Sequence, residues 1–302
     1  MSDLPPCAVR SRDDAEPLGA TASRVDEWVL YQQNGAWGPD ALRDSGLPDP
    51  IADALQAADR RPRTKAILIR GTVASEDGPL GVVRARSTVG DERVEHHAIL
   101  DPEHADEAIA DAVATLVERT PATWSPGDDL VLAVCTNGRH DRCCADFGRP
   151  LVRAMHDLDE PVWECSHIGG DRFAGNVLIL PHGLYFGRVD PETVGAFLAD
   201  LRAGLLPLDH YRGRSALPMA AQAAEIAVRR ELGERRIDAL TGWRLDRTGD
   251  ARWTTRIDLG GAGYEVDVRR DTTAAPTLLT CKATAPSPPG HFVTGPVVQT
   301  DT

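Results

Sequence analysis

The chain has 302 residues, 42% hydrophobic and 26% charged, with a formal net charge of -13. That length and composition support two or three domains with a real hydrophobic core and exclude a disordered chain. The acidic residues are scattered rather than gathered in a tail, so the surface repels a phosphate backbone or an anionic bilayer, and neither a nucleic-acid nor a membrane partner is expected.

The opening MSDLPPCAVRSRDDAEP lacks the basic start and apolar core of a secretory signal, and no apolar run reaches the roughly 20 residues of a membrane span, so a cytoplasmic protein is expected. Residues 1–20 are polar, contain adjacent prolines and have no periodicity, which predicts a loose tail or a strap on a neighbouring element. Next come a strand in EWVLYQ, a loop in GAWGPDAL, a short helix with Ile51, Leu55 and Ala58 on one side, and a buried strand in KAILIRG. PLGVVRARS and RVEHHAIL alternate as a hairpin, on which the adjacent His96 and His97 face opposite sides. Asp101 and Pro102 start a helix carrying Ile109, Val113 and Leu116, and TPATWSPGDD reads as a linker.

The stretch 129–188 holds four of the six cysteines, at 135, 143, 144 and 165, with several histidines and the densest glycines. LVLAV is a strand covered on both faces, CTNGRHDR a loop, and CCADFGRPLVRAMHDL a helix whose first turn Gly148 and Pro150 are expected to limit. VWECSHI is a second strand, GGDRFAGN a loop, NVLILP and GLYFGRV a hairpin, and a helix follows Asp190 and Pro191. Strand, helix, strand, hairpin, helix is the minimal thioredoxin-like order, with functional groups on loops at the strand ends. Farther on, MAAQAAEIAVRREL reads as an alanine-rich amphipathic helix. ALTGWRLDR, ARWTTRIDL and GYEVDVRR read as antiparallel strands, PTLLTCK as a possible fourth, and the tail after Pro286 as weakly ordered. The expected organisation is a tail (1–20), an N-terminal α/β segment (21–123), a thioredoxin-like core (124–214) and a small C-terminal α+β domain (215–302).

Cys135 ends one strand, and Cys144, nine positions later, lies in the first turn of a helix whose N–H groups favour a thiolate. His167 ends the second strand and Asp171 follows in a double-glycine loop. If the two strands are parallel neighbours, two sulfurs on one loop and a nitrogen and an oxygen on the other meet at one end of the sheet. Gly169 and Gly170 would let backbone N–H groups approach bridging sulfides. Cys143 beside Cys144, and Cys165 on the same strand face as His167, compete with Asp171 for a fourth ligand place. His140 shares the cysteine loop as a nearby hydrogen-bond or proton partner, whereas His156 and His182 read as solvated, and Cys7 and Cys281 stand apart.

CTNGRHDRCCADFGRP together with CSHIGGDRFAGNVLILPHGLYFGRV resembles the sucrase/ferredoxin-like family. The resemblance implies a thioredoxin-like ferredoxin fold and a [2Fe–2S] cluster held by two cysteines and two histidines. Cys135 and Cys144 fall on the cysteine positions and His167 on the first histidine position, but Asp171 stands where the second histidine is expected. A harder, charged carboxylate there implies a lower potential.

The expected function is therefore electron transfer or redox sensing with a redox partner protein. The alternatives are a thiol-dependent oxidoreductase using Cys135 with Cys143 or Cys144, and a structural zinc module. No carboxylate pair suits glycoside cleavage, so no hydrolase activity is expected.

Overall fold

A helix occupies the N-terminal stretch that composition reads as a tail. In a computed structural model, which describes residues 4–71, 82–97, 105–115, 125–127 and 130–300 apart from 272 and 274, α1 (Cys7–Asp13) buries Cys7, Ala8 and Ser11. It packs on a 3-10 turn at Asp171–Phe173, so the strap reading replaces the loose tail.

After α1 come β1 (Glu27–Gln32), α2 (Ala41–Asp44), α3 (Asp49–Asp59), β2 (Thr64–Gly71), β3 (Val82–Thr88), β4 (Asp91–His97), α4 (Ala105–Thr115) and β5 (Ser125–Gly127). The expected helix start at Asp101 and Pro102, most of the linker, and the His96 and His97 side chains lie outside the described residues. β6 (Val131–Cys135), α5 (Arg142–His156), β7 (Trp163–Cys165), β8 (Val177–Leu180), β9 (Leu184–Phe186) and α6 (Val194–Arg202) follow. α5 runs through Pro150 instead of being cut short; the Pro lacks one N–H, while six buried side chains or backbone positions anchor the helix. β10 (Tyr211–Arg214) and α7 (Met219–Leu232) lead to β11 (Leu240–Gly249), β12 (Arg252–Leu259), β13 (Ala262–Asp271) and β14 (His291–Thr300).

Ten strands form one mixed sheet in the order β10-β9-β8-β6-β7-β2-β1-β3-β4-β5. β6 and β7 are parallel, as a helical crossover requires, and β8 runs antiparallel to β6. β7 also pairs antiparallel with β2, placing Ile69 opposite Cys165, so the N-terminal and central segments share their hydrogen bonding. Apolar clusters cover both faces: one with Trp28, Ile67, Leu178 and Tyr185, the other with Leu132, Leu151, Phe186 and Phe197.

β11 to β14 make a second, antiparallel sheet in sequence order. Its fourth strand is the supposedly weak tail rather than PTLLTCK: β14 pairs along β13, and Phe292 and Val297 pack on the second sheet's core. α7 lies against β10 on one side and β12, β13 and β14 on the other. Contact on both sides explains its alanines, because small side chains let a helix approach two layers closely. Among the described residues no helix is long and apolar enough to cross a membrane.

Candidate metal centre

Every residue of β6 is buried, and the strand delivers Cys135 to the sheet end. The chain then turns through Thr136, whose N–H donates to the Cys165 carbonyl at 3.1 Å, and Asn137, whose buried amide donates to the Gly38 carbonyl at 3.2 Å. Asp141 has extended backbone (φ -146°, ψ 135°) and accepts the Cys143 N–H at 2.9 Å. This is an N-cap, so α5 starts at Arg142 and Cys143 and Cys144 occupy its first turn. Gly148 lets α5 approach β6: a Cβ there would lie 2.2 Å from the Cys135 carbonyl oxygen. Gly148→Ala is expected to cost about 1–3 kcal/mol by pushing α5 off β6. Its urea midpoint should fall as Cys144 separates from Cys135.

The opposite loop is fixed from below. Ser166 is tied to Leu68 by both its N–H (2.8 Å) and its hydroxyl (3.0 Å). The Ile168 carbonyl accepts from the Tyr185 hydroxyl at 3.2 Å. Gly169 and Gly170 have φ of 98° and 81°, a region costly for residues with a Cβ.

Their carbonyls accept from Arg212 at 3.0 Å and from Asn176 at 2.8 Å, respectively. Arg212 also donates to Asn176 Oδ1 at 2.8 Å and the Thr21 carbonyl at 2.7 Å. A Cβ on Gly170 would come within 2.3 Å of this guanidinium, so the glycine gives room for a buried cation behind the loop. Burial pushes the Arg212 pKa down to about 10. Arg212 lies outside the quoted motifs, and Asn176 and Tyr185 lie inside one without being singled out, so sequence reading missed all three.

The donors of Cys135, Cys144 and His167 lie within 4.8 Å of one another, and those of His140, His167 and Asp171 do likewise. Asp171 links the groups, with Oδ1 3.4 Å from Cys144 Sγ and 2.9 Å from His167 Nδ1. The second contact is not aligned as a hydrogen bond, which leaves buried Nδ1 without a directed partner. His140 stacks on His167 with centroids 3.7 Å apart and planes at 16°, and its Nδ1 lies 3.1 Å from the Pro39 carbonyl.

Cys165 is in neither group; it packs among Ile69, Leu178 and Tyr185 in the core. Cys143 turns away from Cys144 toward Cys7, 3.6 Å between sulfurs, and Cys281, 3.4 Å. His182 is half-buried rather than solvated; its burial, and then Arg214, hold its pKa below the usual value. The half-buried His156 at the end of α5 has a buried Nε2 without a partner.

The electrostatics divide the donor set: Cys135 and Asp171 favour their charged forms, while Cys144 and His167 hold protons that a metal would displace. A hydrogen bond from Cys144, opposed by burial and aided by His167, pulls Cys135 down to about 5. The same contact and burial push Cys144 far up, so in the metal-free centre one proton stays on the thiol pair. Burial opposes charge on His167, yet Asp171 and Cys135 outweigh it and raise the imidazole to about 9. Burial likewise opposes charge on Asp171, and His167 overrides it, holding the carboxyl below its usual range.

Fold and site together define an α/β protein with a buried cysteine, histidine and carboxylate centre where two parallel strands of a mixed sheet end. The chain belongs to the sucrase/ferredoxin-like family, whose model matches residues 18–213. It is similar to Altered inheritance of mitochondria protein 32 of Debaryomyces hansenii, 31% identical over 140 residues, covering 39% of this chain and 51% of that protein. The protein of that name from Meyerozyma guilliermondii is 32% identical over 98 residues, covering 28% of this chain and 34% of the relative. The chain thus spans about half or less of the curated relatives it matches. No solved structure matches.

Proposed function

We propose that the protein is a [2Fe–2S] cluster-binding redox protein for electron transfer or redox sensing, with Cys135, Cys144, His167 and Asp171 as ligands. The observation that carries this reading is the meeting of two thiols, an imidazole and a carboxylate from two loops at one sheet end. The donor set fits: two sulfurs come from one loop and helix start, and two harder donors from the other, matching the two protein ligands each iron of such a cluster takes. When bound, the cluster supplies one-electron chemistry.

The chain's own groups supply the setting. The β9-β8-β6-β7 order, with β7 parallel and β8 antiparallel to β6, supports a thioredoxin-like ferredoxin core. Cys135 and Cys144 are each only 1% exposed, which keeps water from the sulfurs. Gly169 and Gly170 leave room for Ser23 and Arg212 behind the loop, and Arg212 there offsets the centre's negative charge. The His167 side chain, 23% exposed, is the edge a redox partner protein can reach. A buried cysteine, histidine and carboxylate centre needs reduced thiols, and on that ground we place the protein in the reducing cytoplasm.

Anaerobic purification should give a brown protein with about two irons and two sulfides per chain. Iron-free, colourless protein that cannot be reconstituted would overturn the proposal; zinc at this centre in place of iron would select the structural-zinc reading instead. Asp171→His exchanges an anionic ligand for a neutral one, so the potential should rise on the order of 100 mV. An unchanged potential and unchanged visible spectrum would remove Asp171 from the ligand set.

One observation favours a second reading, thiol chemistry: the depressed pKa of Cys135 beside Cys144. The near-complete burial of both thiols opposes it, because a disulfide or peroxide substrate must reach sulfur. Turnover of such a substrate by metal-free protein would decide for it.

A further inference from the structure

Three cysteines from the start, middle and end of the chain meet at one point. The Sγ atoms of Cys7, Cys143 and Cys281 form a nearly equilateral triangle with edges of 3.6, 3.4 and 3.5 Å. Asp141 completes the group: its oxygens lie 3.8 and 3.9 Å from Cys7 Sγ, and all four donors are within 4.8 Å of one another. Sequence analysis set Cys7 and Cys281 apart because 274 positions separate them, and only the fold brings them together.

We propose that Cys7, Cys143, Cys281 and Asp141 form a second metal site, distinct from the Cys135–Cys144–His167 centre, which takes one tetrahedral thiophilic divalent cation, zinc by preference. Zinc–sulfur bonds of about 2.3 Å set a sulfur–sulfur edge of about 3.8 Å in a tetrahedron, close to the triangle found. The odd number of thiols also matters. Three cysteines cannot all be satisfied by a disulfide, whereas a cation can take three sulfurs and one carboxylate oxygen.

Backbone donors point at two of the sulfurs. The Cys7 N–H donates to Cys281 Sγ at 3.3 Å, and the Ala8 N–H reaches Cys143. Asp141 is held ready by the Cys143 N–H at 2.9 Å and the Cys281 N–H at 2.7 Å, leaving oxygen lone pairs free toward the sulfurs. These are the backbone contacts that orient and charge-balance ligands at metal sites. Apolar Ala8, Ala174 and Phe147 surround the group and limit water. Binding would displace the thiol protons to solvent with no change in oxidation state.

The site would tie α1 and the segment around Cys281 to the first turn of α5. Cys143 and Cys144 are consecutive there but belong to different groups, so a cation on Cys143 would brace the turn that presents Cys144. The ligand sets share no residue, so either proposed metal can fail without the other.

The full chain, expressed with iron and zinc supplied and purified anaerobically, should retain about one zinc per chain by elemental analysis. Cys281→Ser should lose that zinc while iron content and visible spectrum persist. The Cys135→Ser/Cys144→Ser variant should lose iron and keep zinc. Should Cys281→Ser fold poorly, cobalt titration of the metal-free Cys135→Ser/Cys144→Ser chain gives the same answer, through a thiolate-to-cobalt charge-transfer band that zinc abolishes. Absence of zinc and of that band overturns the proposal, as does zinc unaffected by Cys281→Ser or a disulfide among the three cysteines in the anaerobic protein.

Discussion

With the proposed [2Fe–2S] cluster in place, Cys135→Ser and Cys144→Ser are each expected to reduce iron from about two per chain to near none and to abolish the visible charge-transfer spectrum. Serine fills the thiol's space but stays protonated near neutral pH and binds soft iron weakly. Each position is fixed by elements serine leaves intact: β6 holds Cys135, and the Asp141 cap with the Gly148 approach holds Cys144. Lost iron with an unchanged unfolding midpoint would therefore report lost ligation, not lost fold. Cys165→Ser is the matched control, because that thiol packs in the core apart from the donor groups, and it should keep its iron. Full iron in both ligand variants, or its loss in the control alone, would sink the assignment.

The largest expected effect on stability lies in α7. Arg229 and Glu225 form an ion pair at 2.9 Å with both side chains 0% exposed. Glu225 also accepts from the Tyr211 hydroxyl at 3.0 Å, and Arg229 donates to the Arg236 carbonyl at 2.9 Å. Arg229→Met would strand a buried carboxylate and is expected to cost about 3–5 kcal/mol, read from urea unfolding. Combining it with Glu225→Leu removes the stranded charge and should recover much of that loss, though not all, because the Tyr211 hydroxyl then lacks its acceptor. A single variant as stable as the parent, or a double variant worse than the sum of the singles, would refute this account.

These sites differ in how openly the sequence displays them. Cys135, Cys144, His167 and Asp171 lie at the ends of two short apolar runs, so strand periodicity and parallel pairing suffice to bring them together. Arg212 was not legible: YRGR looks like a polar turn, but β10 is an edge strand whose arginines point inward to buried acceptors. α7 reads as amphipathic because its pattern shows one apolar face, while its contact with two sheets depends on strands far along the chain. The tail after Pro286 contains prolines and few large apolar residues, yet β13 supplies the hydrogen bonds that make it a strand. Cys7 and Cys281 had no local signal at all.

The shared border between β7 and β2 bears on how portable the centre is. Gly38 and Pro39 accept from or abut Asn137 and His140, and Arg70 pairs with Glu164 at 2.8 Å on β7. The N-terminal half thus supplies one wall of the candidate metal centre. Grafting the central strands alone into another protein would expose β7 as a raw edge, free the Asn137 amide and strip Glu164 of its cation. In this chain the centre is less a cassette than a seam, and its ligands stay aligned only while both sides remain joined.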